Sequence, residues 1–309
     1  MLNLLDNLPA GGRVLDLGAG PGSFRTIRAD LSIVRLDLER PHSLGPGSYV
    51  LADAARMPFA PGSFDLVIGN HSLEHFNELE AAVSEVGRVL KPDGVLYVAV
   101  PDATTLTDRI YRWLGRGGGH VNPFRSSGEV AGLINRLTGL PLVRTTVLFS
   151  SLSFLNRHNF VTPPPRRIAL FAFGNELFLA VSIAILRGVD RRRGTKLSRY
   201  GWALLFGSVS QAEPAEAWIN VCVRCGSGHS EPYLHKHAPI HRIAGMFPWY
   251  RCPACGGLNL LTREFTPRAR HGSHDVRRVA ANPGCRRPFR PPFSTRGEFL
   301  GLQQHPLGR

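Results

Sequence analysis

Lysine is nearly absent from this 309-residue sequence: only Lys91, Lys196 and Lys236 stand among 37 basic residues, and the rest are arginine. A bias of that kind follows genome composition as readily as function. The formal net charge of +14 therefore does not by itself make the chain a nucleic-acid binder. Half of that charge is local, because ten arginines face three acids from Thr262 to Arg309. The composition is also not that of a fibrous, mucin-like or wholly disordered chain, since 43% hydrophobic residues suffice for a packed core. At the N-terminus Asp6 stands before any basic region, so no secretory signal is read there and a cytosolic start is expected. Cysteine is scarce as well. Four of the five fall in two Cys-x-x-Cys pairs, which in a reducing compartment suggests metal before disulfide, and Cys285 is left over.

What the sequence does contain is an alternation of strand-like and helix-like runs. Val14 to Leu17, Ser32 to Asp37, Tyr49 to Ala52, Phe64 to Gly69 and Val95 to Val100 read as five strands. Glu78 to Leu90 reads as an amphipathic helix that stops before Pro92, and Ser126 to Leu137 as a second helix. Leu142 to Phe149 reads as a sixth strand. This order predicts an α/β fold with a mostly parallel, doubly wound sheet. Residues 1–150 form the expected core, 151–214 an apolar and basic insertion, and 215–225, with Ala217 to Val221, the last core strand. Residues 262–309 show no periodicity and are expected to form a disordered basic tail.

The turn Gly18-Ala19-Gly20-Pro21-Gly22 directly follows the first strand, where glycine lets a backbone approach a ligand closely. Asp37, at the end of the second strand, can hold ribose hydroxyls. That pair alone suits a dinucleotide enzyme equally well. The wider set decides: Val14 to Gly22, Leu51-Ala52-Asp53-Ala54, Met57-Pro58-Phe59, Ser63 to Asn70, Leu73-Glu74-His75 and Leu90-Lys91-Pro92-Asp93-Gly94 follow one another across residues 13–101. In these stretches the sequence resembles the class I S-adenosylmethionine-dependent methyltransferases, especially the small-molecule group called methyltransferase type 11. The resemblance implies a Rossmann-like fold with an antiparallel last strand. It also implies site roles. Asp16, Gly18 and Gly20 would line the methionine part of the cofactor, Asp37 the ribose, Asp53 with Ala54 the adenine, and Asn70 the vicinity of the sulfonium.

Methyl transfer needs alignment more than a dedicated base. His71 and His120 are the candidates for substrate contact, while His75 reads as a local packing or capping residue and Asp65 as a structural one. The Asn/Asp-Pro-Pro-aromatic signature of nucleobase amino methylation is absent, because the sequence reads Asn70-His71-Ser72-Leu73.

Cys222-Val223-Arg224-Cys225-Gly226 and Cys252-Pro253-Ala254-Cys255-Gly256 resemble a zinc ribbon, with four thiolates and no open position, over residues 222–261. A redox pair, or completion by His229, His235, His237 or His241, remains open. Ile168 to Leu186 is long enough to span a bilayer, but Glu176 sits near its middle. A lid helix pair and an interfacial element with arginine flanks stay as the two readings. The expected activity is O- or C-methylation of a small-molecule or lipid-linked acceptor, in the cytoplasm and with contact to the inner membrane face as an option. RNA methylation and non-catalytic cofactor binding are the alternatives.

Overall fold

The computed structural model describes residues 2–20, 22–24, 28–40, 47–114, 120–159, 174–208, 219–243 and 247–262. Short, largely apolar runs build its central sheet: β1 (Arg13–Leu17), β2 (Ser32–Asp37), β3 (Ser48–Leu51), β4 (Phe64–Asn70), β5 (Leu90–Pro101), β6 (Leu142–Phe149) and β7 (Arg199–Gly207). The spatial order is β3-β2-β1-β4-β5-β7-β6. The first five strands are parallel, and β7 runs antiparallel between β5 and β6. This is the Rossmann-like fold expected from the alternation.

Alternate residues of each strand feed two cores. Leu15, Leu17, Val67, Leu96, Val98 and Phe206 face one side, where helices α2 (Leu79–Val89) and α4 (Ser127–Thr138) bury Val83, Val86, Val130 and Ile134 against them. Val14, Ile33, Ile68, Ala99 and Leu205 face the other, with Leu5 of α1 (Leu2–Asp6). Ser126 caps α4 by accepting from the Glu129 N–H, and Glu129 accepts in return from the Arg125 N–H. Helix α3 (Leu106–Leu114) lies between β5 and α4 in the chain.

One boundary differs from the sequence reading. The last strand of the sheet is Arg199–Gly207, not 215–225, and the intervening insertion accordingly ends before Arg199 rather than at 214. The continuous apolar run Trp202 to Phe206 suits a strand buried between two neighbours. Gly201 supports it further, since a Cβ there would run into the Val100 carbonyl oxygen on β5. Asn220–Val221 (β8) instead pairs antiparallel with Gly228–His229 (β9) in a separate two-stranded sheet. Ala217 and Trp218 lie outside the described residues.

Within the insertion, α5 runs from Glu176 to Arg193, capped by Asn175, whose Oδ1 accepts from the Leu177 N–H at 2.9 Å. It takes in Arg187, Asp190 and three terminal arginines, whereas residues 168–173 of the apolar run lie outside the described residues. No helix among the described residues is long and apolar enough to cross a membrane. Helix α6 (Glu231–His237) and a three-stranded sheet of β10 (His241–Ile243), β11 (Phe247–Arg251) and β12 (Leu258–Leu260) complete the described residues. The tail from residue 263 onward, Cys285 included, lies outside them.

Candidate active site and cysteine cluster

The glycine turn leaves β1 at its C-terminal end. Gly18 takes φ of 64°, and a Cβ there would stand 2.5 Å from that of Ser72, so the turn packs under the segment that follows β4. The Gly18 and Ala19 N–H groups donate to the Leu36 carbonyl at 2.8 and 3.1 Å, tying the turn to β2. Asp37, the last residue of β2, accepts from the Gly20 N–H at 2.7 Å. Asp16 is fully buried; one carboxylate oxygen accepts from the Ser23 N–H at 3.0 Å and pairs with Arg35 at 3.1 Å. Its other oxygen has no hydrogen-bond partner among the described residues. Burial pushes the Asp16 carboxyl above its usual range, against the opposing pull of Ser23 and Arg35. Asp16, Gly18, Gly20 and Asp37 are thus gathered at one turn.

Asp53 and Ala54 follow β3. Asp53 accepts from the Ala55 N–H at 2.9 Å, with Arg56 at 3.7 Å, and the Ala54 side chain is buried in the core. Asn70 ends β4, and the next residue, His71, adopts φ of 56° before a turn of 3-10 helix at Leu73–His75. His71 packs against Tyr200, ring centroids 5.1 Å apart, and burial, helped by His120 and His75, lowers its pKa to about 4. Asp65 is structural as expected: it accepts from the Arg13 N–H and from Lys91 at 2.8 and 2.6 Å.

His120 sits beyond β5, and the chain there is strapped to the β4 turn. The Val121 and Asn122 N–H groups both donate to the Glu74 carbonyl, and the Asn122 side chain donates to the carbonyls of Leu73 and Phe76. His120 Nδ1 lies 3.1 Å from buried Asp108, and its ring stacks on Tyr111. His75 is exposed rather than packed away, with its ring edge-on to His120. Glu74, Asp108, Tyr111 and Tyr200 were not singled out from sequence. Glu74 lay within a recognised motif, but its burial, which raises its pKa to about 7, depends on residues some 45 positions away.

Residues 15–98 match the model of the methyltransferase domain family. Residues 15–98 thus carry a methyltransferase domain of the class I S-adenosylmethionine-dependent kind. The chain is 31% identical over 122 residues to an uncharacterized methyltransferase of Mycobacterium tuberculosis, covering 36% of this chain and 44% of that protein. It is 32% identical over 136 residues to a malonyl-[acyl-carrier protein] O-methyltransferase of Methylococcus capsulatus (40% and 50% covered). The enzyme of that name from Enterobacter lignolyticus is 32% identical over 147 residues (44% and 59%). The chain thus spans about half the length of the curated relatives it matches.

Outside the methyltransferase domain, the two Cys-x-x-Cys pairs face each other. Cys222 and Cys255 sulfurs are 3.7 Å apart, Cys225 and Cys252 3.8 Å, and all four lie within 4.8 Å of one another. A tetrahedral ion with metal–sulfur bonds of about 2.3 Å has sulfur–sulfur edges of about 3.8 Å. The cluster could therefore hold one with little movement. Both pairs fold alike: the Gly226 N–H donates to the Cys222 carbonyl, and the Gly256 N–H to that of Cys252. Among the other candidate ligands, His229 Nε2 lies 3.3 Å from the Cys252 sulfur. The cluster is joined to α5, because Glu176 pairs with Arg224 and accepts from the Leu258 N–H at 3.1 Å.

Proposed function

We propose that this chain transfers the methyl group of S-adenosylmethionine to an oxygen or carbon of a small or lipid-linked acceptor, with the cofactor held by Asp16, Gly18, Gly20, Asp37, Asp53, Ala54 and Asn70. The observation that carries this reading is the turn after β1. A buried Asp16 oxygen there has no hydrogen-bond partner among the described residues, the Asp37 carboxylate lies against Gly20, and beyond its chain neighbours no described atom stands within 4 Å of where a Gly20 Cβ would be. Such a turn suits an amino group, a ribose and a close approach of backbone, in that order. The cofactor, when bound, supplies a methyl group on a cationic sulfonium. The protein's part is to align that methyl with the acceptor and exclude competing water. His71 and His120 are the side chains proposed to meet the acceptor. The two relatives named malonyl-[acyl-carrier protein] O-methyltransferases support a carrier-linked acyl acceptor within this class.

The four cysteines are proposed to hold a structural zinc ion, which would contribute directly to the stability of residues 222–261. Helix α5 supports contact with a membrane surface as a further element. Leu177, Phe178, Val181 and Ile185 lie exposed on the face opposite the buried Leu179, Ala180 and Ile183, and Arg191 to Arg193 follow.

The test is untargeted profiling of methylated products in lipid, small-molecule and RNA fractions from cells with and without the gene. A difference confined to the first two supports the reading. A difference only in RNA, or none in any fraction, overturns it.

A further inference from the structure

Beside the glycine turn, three potential ligands converge that the cofactor reading does not use. The donor atoms of Glu74, His75 and His120 all lie within 4.8 Å of one another. Glu74 is 1% exposed, and its Oε2 has no hydrogen-bond partner among the described residues. A buried carboxylate oxygen without a donor is unfavourable unless a cation completes it. His120 is held from behind: its Nδ1 lies 3.1 Å from Asp108, itself 1% exposed and paired with Arg112 at 2.6 Å. That contact fixes the ring and leaves Nε2 as the remaining nitrogen, the arrangement that backs metal-bound imidazoles. His75 comes from the solvent side, its ring centroid 4.9 Å from that of His120. The backbone bonds from residues 121 and 122 to the Glu74 carbonyl keep these parts together although they are 45 residues apart in the chain.

We propose that Glu74, His75 and His120 bind a divalent first-row transition ion, with Asp108 orienting His120. Two imidazoles and one carboxylate suit manganese, iron, cobalt or zinc better than magnesium or calcium, which favour all-oxygen shells. Ligand bonds of about 2.1 Å bring donors no more than about 4.2 Å apart across an ion, so donors already within 4.8 Å of one another need only a small contraction to close on it. Three protein ligands leave coordination positions open. Lying on the segment that follows β4 and covers Gly18, those positions would take hydroxyl or carboxylate oxygens of the acceptor. His120 would then meet the acceptor through the ion. This use of the open positions rests on the methyl-transfer reading, whereas binding of the ion does not.

The test is titration of the purified full-length protein, loaded with a single equivalent of zinc to fill the four-thiolate cluster and leave the second site open, with Mn2+, followed by loss of the free-ion electron paramagnetic resonance signal. One Mn2+ is expected per chain. Glu74→Gln, which keeps the shape of the side chain, and His120→Ala should each weaken binding at least tenfold, and Asp108→Asn by about 10- to 100-fold. Circular dichroism and zinc content identify any variant that fails to fold, and Glu74→Gln keeps the test decisive if His120→Ala does not fold. No stoichiometric Mn2+ binding by the wild type, or equal binding by wild type and Glu74→Gln, overturns the site. Calorimetry with S-adenosylhomocysteine on the same samples separates the two readings: intact cofactor binding without Mn2+ binding overturns the ion site alone, and the reverse overturns the methyl-transfer reading alone.

Discussion

Replacing Asp37 by alanine removes two things at once. Its carboxylate accepts from the Gly20 N–H at 2.7 Å, and in the proposed complex it also accepts from the ribose. Hydrogen bonds to a charged group contribute about 1.5–3 kcal/mol each, so losing the ribose contact costs about 1.5–3 kcal/mol of cofactor binding, while losing the Gly20 contact weakens the unliganded turn. At about 1.4 kcal/mol per decade, affinity falls by roughly 10- to 100-fold. Asp37→Asn retains a neutral acceptor for Gly20 and should lose about half of that free energy. Calorimetric titration with S-adenosylhomocysteine reads both variants, and thermal unfolding in the absence of ligand shows whether the sheet survives. Asp37 ends β2 at the rim of the sheet, so loss of its bond to Gly20 should lower the unliganded melting temperature modestly without unfolding the sheet. Affinity of Asp37→Ala within tenfold of wild type would refute the assignment of this carboxylate.

The remaining expectations concern the other parts of the molecule. Metal analysis of the purified protein should show zinc at the cysteine cluster; Cys252→Ser should lose it, with increased amide exchange across residues 219–262, and a metal-free wild type with protected amides would count against a zinc site. Glu176→Gln should destabilise the attachment of α5 to β12 by about 1–3 kcal/mol, since it removes the charge opposite Arg224 and weakens the acceptor for Leu258; an unchanged denaturation midpoint contradicts this. Gly201→Ala should cost several kcal/mol or prevent folding, because the new Cβ meets the β5 backbone; a normally stable variant would show that the strands are spaced differently. Flotation with anionic liposomes should be strong for the full chain and much reduced by Phe178→Ser with Ile185→Ser; equal flotation would exclude this face of α5 from membrane contact.

The first hundred residues are the most legible part of the chain, for a physical reason. A ligand-binding turn after β1 needs glycine where φ is positive and an acid at the end of β2, and both requirements are local in sequence. The cysteine cluster is legible likewise, since metal-ligand spacing is set within each Cys-x-x-Cys loop. The last strand is not. Both Arg199–Gly207 and the run ending at Val221 are short and apolar, and what selects the former is non-local: glycine at 201 admits the β5 backbone, and Leu204 and Phe206 fill the core under α2 and α4. Glu74 illustrates the same limit at the site. Its residue type and motif are visible, but its burial comes from a strap at residues 120–124 that only tertiary structure brings over it.

The central claim is methyl transfer from S-adenosylmethionine to a small or lipid-linked acceptor. Its most direct test is incubation of the purified protein with methyl-labelled S-adenosylmethionine and fractionated cell extract, with Asp37→Ala run in parallel. The account predicts label in the lipid or small-molecule fraction with wild type and none with the variant. Label confined to RNA, or no label in any fraction from a protein that binds no cofactor, would contradict it.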